Sequence, residues 1–305
     1  MKIAWVGGFE MHPNAIQIQG IKQAMTDLHH EALYLDNSAM AEDVFMDRLI
    51  DFHPDVIVAL WYQFFLMNPV MFARQKLAHH IVFWFVDFIG QGDRPSEIDL
   101  VFLSNREQLS DYAFRWGIPE SRVQYLPDGT LGFGTLRRIP HYDQPERDVL
   151  FIGNPCPKTY ARRTTIIENL KSAGVNVEVI YHASKKDFNT MWTSQPSMYR
   201  QAKINLSISL RNDVDGYTSS RLLDICACGG FALAEWFPGC EDLFVPNQEV
   251  VYFMDEADLL EKVHYYLAHP QERAKIAQAG FYRVQKSHTM THRLQTILAA
   301  LPVLV

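Results

Sequence analysis

The sequence predicts an α/β protein of two doubly wound domains, each built on a parallel β-sheet. Three observations lead to this prediction. The chain of 305 residues exceeds one average domain, short apolar strands alternate with helices, and residues 136–147 contain two prolines and show no periodicity, as a linker would. Continuous apolar strands suit parallel sheets covered on both faces, and such sheets bind ligands beyond the carboxyl ends of their strands.

The first half has predicted strands at residues 2–6, 32–35, 55–61, 81–87 and 100–105, with helices at 15–29 and 42–52. Gly7 and Gly8 follow the first strand and allow a tight turn and a close approach of the backbone to a phosphate or sugar. Asp87 ends the fourth strand, where it would orient or deprotonate an acceptor hydroxyl, or only cap a turn. GGFEMHPN lacks the third glycine of the dinucleotide fingerprint, which disfavours a nicotinamide cofactor.

The second half repeats the pattern after the linker. Strands are predicted at 148–154, 175–181, 203–209, 230–235 and 249–253, and helices at 160–173, 196–202, 255–268, 270–286 and 288–301, with a further helix opening near Ser219. The predicted domains are therefore 1–141 and 142–287. Residues 288–305 are expected to form a final helix that packs across the domain junction.

Composition narrows the classes of function. The net charge of −7, from 35 acidic and 28 basic residues, gives no bulk attraction to nucleic acid or anionic membranes. No apolar run reaches the roughly 18 residues of a membrane span, and the amino terminus lacks a signal-peptide core, so we expect a cytoplasmic protein without stable membrane insertion. The four cysteines and the histidines lack metal-site spacings, and no metal site is predicted.

The stretch SSRLLDICACGGFALAE, residues 219–235, places hydroxyl side chains at the start of an apolar helix. Its first amides have no partner within the helix and the helix dipole is positive there, which suits a phosphate. Thr218, Ser219 and Ser220 would donate hydroxyls to it, or one of them serves only as N-cap, and Arg221 adds a forked cation.

Asp224 lies four residues after Ser220, on the same face of the predicted helix. A carboxylate at this position can accept hydrogen bonds from two ribose hydroxyls, as acidic residues do in nucleotide-binding folds. The alternative is a first-turn acidic residue that the helix dipole favours.

The run from Ser219 to Ala234, followed by PGCEDLFVPNQEVVYF and LLEKVHYYLAHPQERAKIAQAGFYRV, resembles the carboxyl-terminal domain of GT-B glycosyltransferases. Within that superfamily (group 1) the chain looks most similar to the spore-maturation (CgeB-type) glycosyltransferase-like family. The resemblance is strong over residues 203–295 and looser over 1–150. It implies two Rossmann-like domains with parallel sheets facing an interdomain cleft: an acceptor domain, then a domain that holds a nucleotide-sugar donor.

The resemblance also implies roles for individual residues. Its paired acidic residues, separated by seven others, correspond to Gly216 and Asp224; the first position departs from the pattern, and Asp215 or Asp213 would supply the sugar-contacting carboxylate from a shifted loop. The basic residues that neutralise the diphosphate leaving group correspond to Lys158, Arg162, Arg163 and Arg211.

The resemblance implies a glycosyltransferase that transfers a sugar from a nucleoside diphosphate sugar, with retention and without a metal, another cofactor or a protein nucleophile. The acceptor is left open among a glycan, a protein, a small molecule and a modified nucleic-acid base. Two alternatives remain: a non-catalytic nucleotide-sugar-binding relative, motivated by Gly216, and a nucleotide-sugar epimerase of the same fold.

Overall fold

A computed structural model describes residues 1–9, 15–36, 40–60, 78–86, 98–132, 147–181 and 194–301 of the chain. The chain divides into two compact units. Unit 1 comprises Met1–Asp128 and Met290–Val305, and unit 2 comprises Gly129–Thr289. Unit 2 is therefore contained, in sequence, between two parts of unit 1.

Unit 1 contains a parallel sheet of six strands in the order β2-β1-β3-β4-β5-β6. The strands are β1 Lys2–Val6, β2 Glu31–Leu35, β3 Val56–Leu60, β4 His80–Phe85, β5 Leu100–Leu103 and β6 Val123–Tyr125. β3, β4 and β5 are buried along their whole length, as their continuous apolar sequences predict. The strand order reverses at β1, so a ligand of this sheet would bind beside the carboxyl end of β1.

The described helices of unit 1 are Ile16–Asp27, Glu42–Phe52, Leu109–Trp116 and Met290–Ala300. The last of these returns from the far end of the sequence. Thr291 Oγ1 donates a hydrogen bond to Asp27 at 3.1 Å, and the buried Arg293 donates from Nε to the carbonyls of Pro127 and Asp128 at 2.8 and 3.0 Å. These bonds attach the final helix to unit 1.

Unit 2 contains a parallel sheet of five strands in the order β11-β10-β9-β7-β8. The strands are β7 Arg147–Ile152, β8 Val177–Ile180, β9 Ala202–Ser207, β10 Ala232–Glu235 and β11 Val251–Phe253. The described helices are Pro157–Ser172, Ser220–Ala227, Glu256–Ala268 and Pro270–Ser287, together with helical residues 194–201. Buried aliphatic and aromatic side chains from the strands and helices form the core.

Two glycines end the helix Ser220–Ala227 for different reasons. Gly229 has a φ of 79°, in the left-handed region that favours glycine after a helix. At Gly230 a Cβ atom would lie 2.8 Å from Asn205 Nδ2 and 3.0 Å from the carbonyl oxygen of Tyr199, so only glycine fits there. This turn carries the chain directly into β10.

The predicted α/β class with two parallel sheets is confirmed. The predicted strands and helices are present, with small differences at their ends. The prediction missed the helix Leu109–Trp116 and strand β6, which are too short for their periodicity to stand out. The proposed linker, apart from Arg147 at the start of β7, lies outside the described residues, so the boundary near residue 142 stays a prediction, as does the packing of the final helix across the domain junction.

Candidate functional site

Polar side chains gather at the carboxyl edge of the unit 2 sheet. β7, β9 and β10 are parallel neighbours, so their carboxyl ends meet at this edge. We call the group formed there the strand-end site; its members are Asn154, Arg162, Arg163, Ser209, Asn212, Ser219, Arg221 and Glu235. Ligands of parallel α/β sheets bind in this region.

The helix Ser220–Ala227 begins at the strand-end site, as predicted. Ser219 is its N-cap, with Oγ accepting a hydrogen bond from the Arg221 amide at 3.4 Å. The Ser219 amide donates to Ser209 Oγ at 3.0 Å, which ties the helix start to the end of β9. Thr218 is buried and Ser220 is half-buried. Ser219 therefore serves as the N-cap of the helix, which was one of the two alternatives. The first turn of the helix lies at the carboxyl end of β9.

The backbone explains why glycine occupies position 216, where the family pattern has an acid. Gly216 has a φ of 75°, a conformation that L side chains adopt with strain, and its amide donates to the carbonyl of Pro238 at 2.8 Å. Of the proposed substitutes, Asp213 is exposed and accepts two hydrogen bonds from Arg211, both at 2.7 Å. These bonds lower the pKa of Asp213 to about 2. Asp215 is half-buried.

The Arg221 side chain folds back onto the sheet. Its Nε donates to the carbonyl of Ile152 at 2.7 Å and its Nη1 to that of Ile208 at 3.1 Å, and the guanidinium lies 4.7 Å from the centre of the Phe151 ring. A Cβ atom at Gly153 would lie 2.5 Å from Nη2, so the glycine makes room for this cation. Burial lowers the pKa of Arg221.

Arg163 is a buried cation beside the half-buried Arg221. Its Nη1 donates to the carbonyl of Asn154 at 3.0 Å, and its guanidinium lies 4.2 Å from the centre of the Tyr160 ring. Burial, and then the charge of Arg221, lower the pKa of Arg163 to about 10. Within the part of the chain that the structure describes, neither guanidinium forms an ion pair with a carboxylate, and Arg163 Nε is buried without a hydrogen-bond partner.

Arg162 pairs with a carboxylate that the sequence analysis did not single out. Arg162 Nη1 donates to Glu235 Oε1, and its Nη2 donates to the carbonyl of Ser209 at 3.0 Å. Asn212 Nδ2 donates to the same Glu235 oxygen at 3.0 Å. Burial raises the pKa of Glu235, and Arg162 opposes the rise. Glu235 ends an apolar strand, which is the signal that pointed to Asp87, so the sequence contained the information needed to find it.

The remaining predicted cations lie apart from these three arginines. Lys158 is exposed in the first turn of the helix Pro157–Ser172 and makes no hydrogen bond or ion pair to another described residue. Arg211 is exposed and bound to Asp213. The structure thus brings Arg162, Arg163 and Arg221 together but places Lys158 and Arg211 in solvent.

Asp224 lies in the core of unit 2 and not on the solvent-exposed face of the helix. It is 1% exposed, and its Oδ1 accepts a hydrogen bond from Thr130 Oγ1 at 2.7 Å. The Thr130 amide in turn donates to the carbonyl of His288 at 3.1 Å. A ribose contact by Asp224 stays a prediction, and a nucleotide would share this carboxylate with Thr130.

The residues predicted in the first half belong to unit 1. The Gly7 amide donates to the carbonyl of Leu35 at 3.0 Å, and a Cβ atom at Gly8 would meet no atom of the described residues within 4 Å. Neither glycine has a φ in the left-handed region, so the turn after β1 does not require glycine for its conformation. Asp87 lies outside the described residues.

A known protein family matches most of the second half of the chain. Residues 162–299, which include the helix starting at Ser220 and most of unit 2, match the glycosyl transferase-like family. This stretch of the chain is similar to that family. No curated protein matches the chain at the level of sequence. The family match confirms the predicted class of enzyme, a glycosyltransferase.

Solved glycosyltransferase structures share the fold over almost the whole chain. An α-glucosyltransferase in complex with UDP and DNA aligns with a TM-score of 0.67 at 8% identity, covering 98% of this chain and 99% of that one. HepE from Anabaena, in complex with UDP and glucose, aligns with a TM-score of 0.64 at 11% identity over 99% and 100% of the two chains. Sucrose-phosphate synthase from Thermosynechococcus elongatus gives 0.62 at 11% identity over 98% and 100%. The chain therefore has the GT-B fold, and the CgeB-type subfamily stays a prediction.

The described residues contain neither a helix able to span a membrane nor a cluster of metal ligands. None of the helices in the described ranges combines the length and apolar character needed to cross a bilayer. The same residues contain no group of three or more His, Cys, Asp or Glu side chains placed to hold a metal ion. The four cysteines, all in the described ranges, are not disulfide-bonded, and three of them are buried.

Proposed function

We propose that the strand-end site binds the diphosphate of a nucleoside diphosphate sugar and that the protein transfers this sugar to an acceptor. The observation that carries the proposal is a pair of guanidiniums, the buried Arg163 and the half-buried Arg221, beside the start of the helix Ser220–Ala227. Among the described residues no carboxylate pairs with either of them. Burying a charge without a counter-charge is costly, so an anion at this site would stabilise the buried Arg163, and it would also attract the neighbouring Arg221.

A diphosphate meets the chemical requirements of the site. The first amides and the dipole of the helix Ser220–Ala227 favour negative charge at its start, and Thr218 and Ser220 add hydroxyl donors there. Arginine suits phosphate because its planar fork donates two parallel hydrogen bonds. The site would thus contact a diphosphate through backbone amides, hydroxyls and guanidinium groups.

The same cations would assist the reaction. Negative charge on the diphosphate grows as its bond to the sugar breaks, so nearby cations stabilise the transition state more than the bound substrate. We assign this role to Arg163. The family resemblance extends it to Lys158, which lies outside the strand-end site, exposed in the first turn of the helix Pro157–Ser172. Retention of configuration, independence from metal ions and the ribose contact of Asp224 belong to the proposal through the family resemblance.

UDP is the first nucleotide to test, because an α-glucosyltransferase and HepE of the same fold are described with UDP or UDP-glucose. The acceptor is left open. One of these relatives is described with DNA, whereas the net charge of −7 in the present chain does not favour a nucleic-acid acceptor.

A thermal-shift screen tests the nucleotide site. The ligands are UDP, GDP, ADP, CDP and TDP, together with their sugar esters. We expect the nucleotides of one base to raise the melting temperature, since a ligand at 100 times its Kd stabilises the folded state by about 2.7 kcal/mol. Arg163→Gln should abolish the shift. The matched control is Arg147→Gln, which removes an arginine paired with Glu178 outside the strand-end site. Absence of a shift with every diphosphate would refute the proposal.

A second candidate function rests on Gly216. A nucleotide-sugar-binding protein without transferase activity would bind the donor but release no free diphosphate, with or without acceptors. Product analysis after incubation with the donor selected by the screen distinguishes the two functions, and an isomerised sugar nucleotide would instead indicate an epimerase.

A further inference from the structure

Glu235 is a carboxylate at the strand-end site with half of its hydrogen-bonding capacity unused. It is the last residue of β10, and only 7% of its surface is exposed. Both of its polar contacts fall on one oxygen: Oε1 accepts from Arg162 Nη1 and from Asn212 Nδ2. The carboxylate is thereby held in a single orientation.

The second oxygen of Glu235 is buried and lacks a donor. Within the described ranges of the chain, no group donates a hydrogen bond to Oε2. An ionised carboxylate accepts about four hydrogen bonds, and a buried acceptor without a donor is destabilising. Burial accordingly raises the pKa of this carboxyl group. The arrangement is what a site requires when a ligand supplies the missing donor.

The hydrogen bonds around Glu235 place it next to the proposed diphosphate position. Arg162 connects Glu235 to the carbonyl of Ser209, and Ser209 Oγ accepts from the amide of Ser219 at the start of the helix. A ligand whose phosphates lie at that helix start would therefore bring its adjoining group towards Glu235. In a nucleotide sugar the groups next to the diphosphate are the two sugars, and both carry hydroxyl donors.

We propose that Glu235 Oε2 accepts a hydrogen bond from a hydroxyl of the transferred sugar. The proposal rests on the proposed function of the strand-end site. It also accounts for Gly216: the position where the family pattern has a sugar-contacting acid is occupied by a glycine with a φ of 75°, and a carboxylate from the end of β10 takes its place. Glu235 then determines which sugar is bound, since a sugar without a hydroxyl at that position leaves Oε2 buried and unpaired.

The competing explanation is that Glu235 only neutralises Arg162. Under that explanation its loss would disturb the phosphate-binding cation and weaken UDP and UDP-sugars alike. Under our proposal its loss affects the sugar ester and spares the diphosphate. The ratio of the two affinities therefore separates the explanations.

The experiment compares the wild type, Glu235→Gln and Glu178→Gln by calorimetric titration with UDP and with UDP-glucose, UDP-galactose and UDP-N-acetylglucosamine, or with the matching esters of another base if the screen selects it. Glu178→Gln is the matched control because it removes the carboxylate of another Arg–Glu pair in the same sheet. We expect Glu235→Gln to weaken the preferred sugar ester by about tenfold or more, the effect of losing a hydrogen bond to a charged group, and to change UDP affinity by less than about threefold.

Glu235→Asp keeps the charge but shortens the side chain, so this variant should also lose affinity for the sugar ester. If Glu235→Gln melts at a lower temperature than the wild type, Glu235→Asp takes its place in the comparison. Equal losses for UDP and the sugar ester, or no loss for either, would overturn the assignment of Glu235. A wild type that binds UDP without any preference for a sugar ester would overturn it too. Failure of the wild type to bind any diphosphate would refute the proposed function itself.

Discussion

Replacing Thr130 with valine should destabilise unit 2, because the hydroxyl donates to a buried carboxylate. Thr130 Oγ1 lies 2.7 Å from Asp224 Oδ1, and the two residues are 0% and 1% exposed. Valine preserves the branched shape of the side chain but donates nothing, and water does not reach the pair to replace the lost bond. Hydrogen bonds to charged groups contribute roughly 1.5–3 kcal/mol, so we expect the free energy of unfolding to fall by about that amount.

Scanning calorimetry is the appropriate assay, because two units can unfold in separate transitions and a single two-state fit would then not apply. For a unit of this size, each kcal/mol lowers the melting temperature by roughly 2–4 °C. The control is Thr165→Val in the same unit, where an exposed hydroxyl donates to the carbonyl of Ala161 at 3.1 Å. That variant should stay within about 0.5 kcal/mol of the wild type.

Equal melting temperatures for the two valine variants would refute the contribution of the Thr130–Asp224 bond. The prediction also bears on how the nucleotide role of Asp224 can be tested. Replacing Asp224 with alanine removes the hydrogen-bond partner of Thr130 together with any ligand contact, so a loss of binding would report a loosened core as readily as a lost ribose contact.

Three further predictions concern the strand-end site. Gly153→Ala should destabilise unit 2 by roughly 1–3 kcal/mol and weaken diphosphate binding, because the new methyl group would displace the Arg221 guanidinium. The control for backbone strain is Gly174→Ala, since Gly174 also has a positive φ but its new methyl group would meet no described atom. Both variants are compared with the wild type by melting temperature and by diphosphate affinity. Lys158→Ala should lower kcat more than it weakens UDP binding, and equal losses would indicate a plain binding role. Since the pKa of Glu235 is raised in the folded state, its carboxyl stabilises the fold below the unfolded pKa of about 4.3 and loses that contribution as the pH rises through the folded pKa. The melting temperature of Glu235→Gln relative to the wild type should therefore increase between pH 4 and pH 8, and a constant difference would contradict the shift.

The fold could be predicted because its signals are local. β3, β4 and β5 are continuous apolar runs, and such runs identify buried parallel strands without knowledge of their neighbours. The start of the helix at Ser219 also follows from local chemistry, since the N-cap bond joins residues two apart. Where the local signal is short, as in β6, the prediction missed the element.

The directions of the site side chains could not be predicted, because they depend on partners distant in sequence. Arg221 was expected to face a phosphate through its position beside the helix start. Its shortest hydrogen bond goes to the carbonyl of Ile152, 69 residues earlier, and the guanidinium occupies space that a side chain at Gly153 would fill. Asp224 is likewise paired with Thr130, 94 residues away. Spacing within a helix carries no information about either partner.

The pairing of Thr130 with Thr289 has a consequence for the modularity of the chain. These residues, at the two ends of unit 2, form a parallel bridge in which the Thr130 amide donates to the carbonyl of His288. Gly129–Thr289 thus has the topology of an inserted domain, whose first and last residues lie next to each other. Domains with neighbouring ends tolerate insertion into other chains and circular permutation. The glycosyl transferase-like unit should therefore be transferable as one piece, and opening it at an exposed loop while joining its natural ends should preserve its five-stranded sheet.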